Sequence, residues 1–138
     1  MKKIKLKGNW SMKEKHISLT KIFSFNSAHK LIDYKGKCSQ IHGHTYKLEF
    51  TVSGKISSDG MVIDFHVLND IIEKEIIEEL DHKYLNDIFD FNPTSENIAI
   101  WIWERVENTI SDIGCNIERI VLWETPTSFV TIRSEDIK

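Results

Sequence analysis

The sequence predicts an α+β domain in which a four-stranded antiparallel sheet is covered on one face by two helices. Segments of alternating apolar and polar residues, typical of strands, occupy both ends of the chain. Two segments with apolar residues three and four positions apart, typical of amphipathic helices, lie between them. Connections of hairpin length separate the strands of each pair, which favours antiparallel pairing. Two helices are enough to cover only one face of the sheet.

Composition restricts the classes of function. The chain has 138 residues, 41% of them hydrophobic, which fits one compact domain. Its net charge of -3 provides no basic surface for nucleic acid. No apolar run approaches the roughly 20 residues that cross a bilayer, and the basic start lacks the apolar core of a secretory signal. Two cysteines fit free thiols in a reducing compartment. We therefore expect a cytoplasmic protein that binds neither nucleic acid nor membrane.

Residues 1–18 differ from the rest of the chain because lysines dominate and no apolar period is present. The lysines are Lys2, Lys3, Lys5, Lys7, Lys13 and Lys15. Such a segment is expected to be a solvated, mobile tail. The prediction is a basic N-terminal tail over residues 1–18 and a single domain over residues 19–138.

The first strand is predicted from Leu19 to His29. In the second, Tyr46 to Val52 alternate between apolar and polar, and His42 and His44 share the parity of the apolar set. Because successive side chains of a strand point to opposite faces, both histidines are expected to face inward. Near the C-terminus, I-E-R-I-V-L-W-E and F-V-T-I-R form two further strands around the turn T-P-T-S.

Two helices are predicted between the strand pairs. Asp64 can cap the first helix. Its apolar stripe contains Leu68, Ile71, Ile72, Ile76 and Leu80. The second helix begins in N-P-T-S-E-N, with Asn92 or Thr94 as cap and Pro93 in the first turn, and ends at Gly114. Its buried stripe contains Ala99, Ile102, Val106 and Ile110.

The segment C-S-Q-I-H-G-H, from Cys38 to His44, is the main candidate site. His42 and His44 can approach one ion together, and His29, at the end of another strand, is the leading candidate for a third ligand. Three histidines with an open position are typical of catalytic zinc. Two alternatives stay open at this point: a hydrogen-bonded pair of core histidines, or a structural zinc with a fourth protein ligand.

Two acidic features accompany this segment. A carboxylate beside an imidazole, as in Asp81-His82, can fix the tautomer of the ring, although a polar turn between helices explains an isolated pair equally well. Glu124 ends a strand beside a turn, where its carboxylate could reach a ligand or stay solvated.

Six motifs together resemble one known family, the 6-pyruvoyl-tetrahydropterin synthases. They are F-N-S-A-H, C-S-Q-I-H-G-H, V-I-D-F, L-D-H-K-Y-L-N, N-P-T-S-E-N and W-E-T-P-T-S, which span about Ile22 to Ile132. The three residues between the cysteine and H-G-H, and the ending E-T-P-T-S, are similar to the branch that forms 6-carboxy-5,6,7,8-tetrahydropterin. The basic tail lies outside the resemblance.

The resemblance implies a tunnelling fold. In it, subunits with a four-stranded antiparallel sheet and two helices on one face join their sheets into a β-barrel. It also implies a homo-oligomer, a trimer or a hexamer, with active sites at subunit interfaces. Such an assembly would provide partners for the free edges of a small sheet.

The resemblance also implies roles for individual residues. Zn2+ would be bound by His29, His42 and His44. Cys38 is similar to the proton acceptor of the family, Asp81 and His82 to its proton relay, and Glu124 to the residue that anchors the pterin ring. The remaining pocket residues would be Thr94, Ser95 and Glu96.

The implied reaction converts 7,8-dihydroneopterin triphosphate to 6-carboxy-5,6,7,8-tetrahydropterin with release of acetaldehyde and triphosphate, as in queuosine and 7-deazapurine biosynthesis. A sister activity on the same scaffold is the main alternative, either pyruvoyl-tetrahydropterin formation or cleavage of the dihydroneopterin side chain. A non-catalytic module that binds zinc and pterin is a further alternative, although it would require neither a thiol base nor a proton relay.

Overall fold

The computed structural model describes residues 2–7 and 15–137, and within these residues one open mixed sheet contains five strands in the order β3-β1-β2-β4-β5. The strands are β1 (His16–His29), β2 (His42–Lys55), β3 (Lys83–Tyr84), β4 (Asn116–Thr125) and β5 (Ser128–Arg133). The helices are α1 (Phe65–Ile72), α2 (Glu78–Leu80), α3 (Leu85–Ile88) and α4 (Ser95–Asp112). The α+β class is confirmed.

The first two strands form a long hairpin without a register shift. Pairing runs from His16 opposite Lys55 to His29 opposite His42. The connecting segment, residues 30–41, contains a short 3-10 turn (Lys37–Ser39) and is closed by a 2.8 Å hydrogen bond from the Leu31 N–H to the Cys38 carbonyl. The hairpin therefore holds two of the predicted metal ligands directly opposite each other.

The predicted boundary between tail and domain falls inside β1. The strand begins at His16, so residues 16–18 are paired with residues 53–55 instead of belonging to a tail. Residues 2–7 are exposed and have no regular secondary structure. Residues 1 and 8–14, the remainder of the predicted mobile tail, lie outside the described residues.

The sheet differs from the predicted four-stranded antiparallel sheet by one short strand. The two residues of β3 pair in parallel with Ser27 and Ala28 of β1. Asn26 of β1 binds the two residues that precede β3, Asp81 and His82, through its backbone. The Asn26 N–H donates to Asp81 Oδ1 at 2.8 Å, and the Asn26 carbonyl accepts from the His82 N–H at 2.6 Å. These bonds hold the chain against the edge of β1, whereas the sequence indicated only a turn between helices.

Helix α1 continues through a π-helical turn (Glu73–Ile77) into α2, where one continuous α-helix was predicted. Asp64 caps the start, accepting a hydrogen bond from the His66 N–H at 2.8 Å. The wider turn changes the phase of the helix, so that Ile76 and Ile77 are both buried. The helix still packs its apolar face on the sheet, as predicted.

Helix α4 is fixed at both ends. The N-cap is Thr94, whose Oγ1 accepts from the Asn97 N–H at 3.1 Å, and Pro93 therefore precedes the cap instead of lying in the first turn. Gly114, with a φ of 84°, ends the helix because it adopts a left-handed conformation that side chains disfavour. Pro93, immediately before this cap, accepts a hydrogen bond from His29, so the helix begins at the end of the molecule that carries the histidines.

Candidate metal centre

Three histidines converge on the inner face of the sheet. Pairing places His29 of β1 opposite His42 of β2, and His44 follows on the same face two residues later. One potential ligand atom from each ring lies within 4.8 Å of the other two, and Nε2 of His29 is 3.0 Å from Nε2 of His42. The predicted set of three histidines is therefore brought together by the first hairpin.

Backbone carbonyls orient two of the imidazole rings. Nδ1 of His29 donates to the Pro93 carbonyl at 2.8 Å, and Nδ1 of His42 donates to the Gln40 carbonyl at 2.8 Å. Because a carbonyl oxygen only accepts, each Nδ1 carries a proton, and a ring in this tautomer presents an Nε2 lone pair to the cluster when it is neutral. Outer partners of this kind are typical of metal-binding histidines.

The third ring, His44, also presents an unsatisfied nitrogen. Its Nε2 is buried and has no hydrogen-bond partner among the described residues. Burial lowers the pKa of both His44 and His29, which favours the neutral rings that metal ions bind. A tetrahedral zinc with bonds of about 2.0–2.1 Å separates its ligand nitrogens by roughly 3.3–3.4 Å. The nitrogen cluster therefore fits a metal ion.

Glu124 approaches the same cluster from β4. Its Oε1 lies 3.5 Å from Nε2 of His29 and 3.6 Å from Nε2 of His44. The side chain is about one-third exposed and lines a cavity of about 640 Å³ together with His44, Lys47 and Trp123. Glu124 therefore lies beside the histidine cluster, whereas the sequence also allowed an ordinary surface residue.

The Asp81-His82 pair lies beside β1, at the edge of the hairpin that faces away from β4. Nδ1 of His82 lies 2.9 Å from Asp81 Oδ2, and His82 is held in a left-handed conformation with a φ of 59°. The hydrogen bond from the Asn26 N–H, together with contact to His82, lowers the pKa of Asp81. His82 lines a second cavity, of about 550 Å³, to which His44 also contributes. The pair is thus an oriented imidazole that lines a cavity shared with His44.

Cys38 is not brought into the three-histidine group formed by the described residues. It lies half-buried in the 3-10 turn between β1 and β2, and its thiol is free. The thiol therefore belongs to the rim of the hairpin connection and not to the cluster itself.

The first turn of α4 lies beside the centre through Pro93. Thr94 is the cap, Ser95 is buried with an Oγ that has no partner among the described residues, and Glu96 is exposed. Sequence reasoning missed the carbonyls of Pro93 and Gln40 as outer partners of the histidines. No side-chain pattern could have revealed them, since every residue carries a carbonyl.

Within the described part of the chain, none of the helices is long and apolar enough to span a membrane.

Three comparisons place the chain among known proteins. The family model for 6-pyruvoyl tetrahydropterin synthase matches residues 18–135. A 6-carboxy-5,6,7,8-tetrahydropterin synthase of Haemophilus influenzae is 37% identical over 136 residues, covering 80% of this chain and 94% of the relative. A dihydroneopterin monophosphate aldolase of Pyrococcus furiosus is 42% identical over 104 residues, covering 73% of this chain and 83% of the relative.

A solved structure agrees with these matches. The 6-pyruvoyl tetrahydropterin synthase of Caenorhabditis elegans superimposes with a TM-score of 0.78 at 25% identity, covering 88% of this chain and 98% of that one. The family model covers nearly the whole described domain, including every residue of the centre. The chain belongs to the 6-pyruvoyl tetrahydropterin synthase family.

Proposed function

We propose that this protein is a zinc-dependent lyase that converts 7,8-dihydroneopterin triphosphate to 6-carboxy-5,6,7,8-tetrahydropterin, releasing acetaldehyde and triphosphate. The observation that carries the proposal is the set of three inward-facing histidine nitrogens with a carboxylate beside them. The similarity to relatives named as 6-carboxy-5,6,7,8-tetrahydropterin synthases supports the choice of reaction. We further propose that the enzyme works in the cytoplasm.

His29, His42 and His44 would hold the zinc ion. Their spacing, the two carbonyl-bound Nδ1 atoms and the unpartnered Nε2 of His44 all support this set. When bound, zinc supplies Lewis-acid polarisation of the oxygen atoms on the substrate side chain.

Cys38 is proposed as the base that removes a proton from the substrate side chain. The thiolate is the basic form of a cysteine, and Cys38 is a half-buried, free thiol in the connection that joins the strands of His29 and His42.

The Asp81-His82 pair is proposed as the relay that carries protons while the double bond migrates. The 2.9 Å contact between carboxylate and ring orients the imidazole, and the cavity that His82 lines together with His44 supports a place near the substrate. His82 is 78% exposed in the single chain, which leaves room for a substrate or a neighbouring subunit to cover it.

Glu124 is proposed to accept hydrogen bonds from the amino and N–H groups of the pterin ring, with Thr94, Ser95 and Glu96 lining the pocket. The partial exposure of Glu124 and its cavity support contact with a ligand. Ser95 Oγ is buried and makes no hydrogen bond among the described residues, so its hydrogen-bonding capacity is unused there.

We propose that the active protein is a homo-oligomer, a trimer or a hexamer, in which the open sheets join into a β-barrel with sites at the interfaces. Among the described residues β5 forms an edge of the sheet with no further strand beside it, which supports this assembly. Exposed apolar side chains on the sheet face away from the helices, such as Ile22 and Phe129, support it as well. Light scattering coupled to size exclusion would test it, and a monomer at micromolar concentration would contradict it.

Product identification tests the reaction. Mass spectrometry after incubation with 7,8-dihydroneopterin triphosphate should detect 6-carboxy-5,6,7,8-tetrahydropterin, with acetaldehyde formed in parallel. The second candidate is a sister activity, favoured by similarity to a dihydroneopterin monophosphate aldolase and to a 6-pyruvoyl tetrahydrobiopterin synthase of Dictyostelium discoideum. A pyruvoyl product, or a product of side-chain cleavage, would replace the proposed reaction with that activity.

A further inference from the structure

The contact between Glu124 and the histidine cluster is not explained by a role in binding the pterin ring alone. A side chain that serves only the ring has no reason to lie against the metal ligands. Instead, one carboxylate oxygen is nearly equidistant from two imidazole nitrogens, at 3.5 Å from His29 and 3.6 Å from His44.

The contact between Glu124 and His29 is not an ordinary hydrogen bond. Nδ1 of His29 already donates to the Pro93 carbonyl, so in a neutral ring Nε2 presents a lone pair to the carboxylate. Both contacts to Glu124 are also too long for a hydrogen bond. Acceptor atoms that face one another in this way repel unless a cation lies between them.

The distances fit a shared ion with four ligands. A tetrahedral zinc site with bonds of about 2.0–2.2 Å has ligand atoms roughly 3.3–3.5 Å apart, whether these are nitrogens or carboxylate oxygens. The corresponding separations are 3.0 Å between Nε2 of His29 and Nε2 of His42, up to 4.8 Å among the three histidine nitrogens, and 3.5 Å and 3.6 Å from Glu124 Oε1 to His29 and His44. The two distances from Glu124 are already close to the tetrahedral spacing, and side-chain rotations that close the wider histidine separation would complete it.

We infer that Glu124 is the fourth ligand of the metal in the substrate-free enzyme and that it leaves the metal when the pterin binds. This inference rests on the proposed function and extends it. One carboxylate would close the site while no substrate is present, and would then accept hydrogen bonds from the ring while the substrate side chain occupies the vacated position. Release of the metal by Glu124 would thereby be coupled to recognition of the pterin.

Cobalt(II) bound in place of zinc provides a direct test, because its visible absorption depends on the number and type of ligands. Pterin-free wild-type protein, Glu124→Gln and Glu124→Ala would be titrated with cobalt(II). Glu118→Gln is the matched control, since Glu118 lies half-buried on the same strand, far along β4, and bonds to Ser18. Affinity would be measured by competition with a chelator.

The two Glu124 variants should bind cobalt at least about tenfold more weakly than wild type and show an altered spectrum, whereas Glu118→Gln should match wild type. Addition of neopterin should change the spectrum of the wild-type complex by displacing the carboxylate. In Glu124→Ala, neopterin should produce a smaller change, since no carboxylate remains to be displaced.

Unchanged cobalt affinity and spectrum in both Glu124 variants would overturn the inference. If neopterin affinity fell at the same time, Glu124 would serve the pterin only and the proposed function would stand. If the wild-type protein bound no cobalt, the metal centre itself would be refuted, and with it both the inference and the zinc dependence of the proposed reaction.

Discussion

Replacing His29 with asparagine should separate the metal-binding role of this residue from its structural role. His29 is 1% exposed, and its Nδ1 donates to the carbonyl of Pro93, which is itself buried. The side-chain nitrogen of asparagine can occupy the position of Nδ1, but asparagine has no counterpart of Nε2. His29→Asn should therefore keep the hydrogen bond and lose the metal, whereas His29→Ala should lose both.

The expected magnitudes follow from these contacts. Loss of the donor in His29→Ala leaves a buried carbonyl unsatisfied, which should lower the free energy of unfolding of the metal-free protein by about 1–3 kcal/mol. Zinc at 100 times its dissociation constant stabilises the folded state by about 2.7 kcal/mol. With an unfolding entropy of about 2.1 cal/mol/K per residue, this raises the Tm of a domain of roughly 120 residues by about 10 °C.

Differential scanning calorimetry with and without zinc would measure both effects. Zinc should raise the Tm of wild type by that amount and leave both variants unchanged, and without metal His29→Asn should melt above His29→Ala. A full zinc-dependent rise in His29→Asn would show that His29 is not a ligand. Equal melting temperatures of the two metal-free variants would refute the role assigned to the bond with Pro93.

Three further predictions concern the base, the relay and the buried rings. Cys38→Ala should retain one zinc per subunit by elemental analysis but lose nearly all turnover, whereas Cys115→Ala, at the other free cysteine, should keep its turnover. Loss of zinc in Cys38→Ala would make the thiol a ligand. His82→Ala should slow turnover by about 100-fold or more with zinc retained. His66→Ala, which removes the exposed partner of Asp64, should leave turnover unchanged. Equal turnover of His82→Ala and wild type would refute the relay role of His82. The metal-free protein should be most stable above pH 6.5 and lose stability in urea titrations as the pH falls through the lowered pKa values of His29 and His44, because the unfolded chain then binds more protons. A stability that is flat between pH 7.5 and 5 would contradict the burial of neutral rings.

Local patterns determined the parts of this protein that depend on neighbours in the chain. Alternation along β2 was enough to predict that His42 and His44 face inward, because strand geometry relates residues two apart whatever the rest of the fold does. The caps at Asp64 and Thr94 and the end of α4 at Gly114 also follow from local chemistry, since each involves hydrogen bonds or a conformation within one turn. The six motifs together were sufficient to identify the family.

Only the tertiary structure decided the features that depend on distant segments. The Pro93 carbonyl reaches His29 across 64 positions of sequence, and Glu124 reaches the cluster only because β4 pairs with β2. The additional strand, β3, forms because Asn26 at the edge of β1 binds residues 81 and 82. This pairing has no counterpart in the pattern of the sequence. Such contacts depend on the register of strands and the packing of loops, which sequence spacing does not specify because many arrangements share the same local pattern.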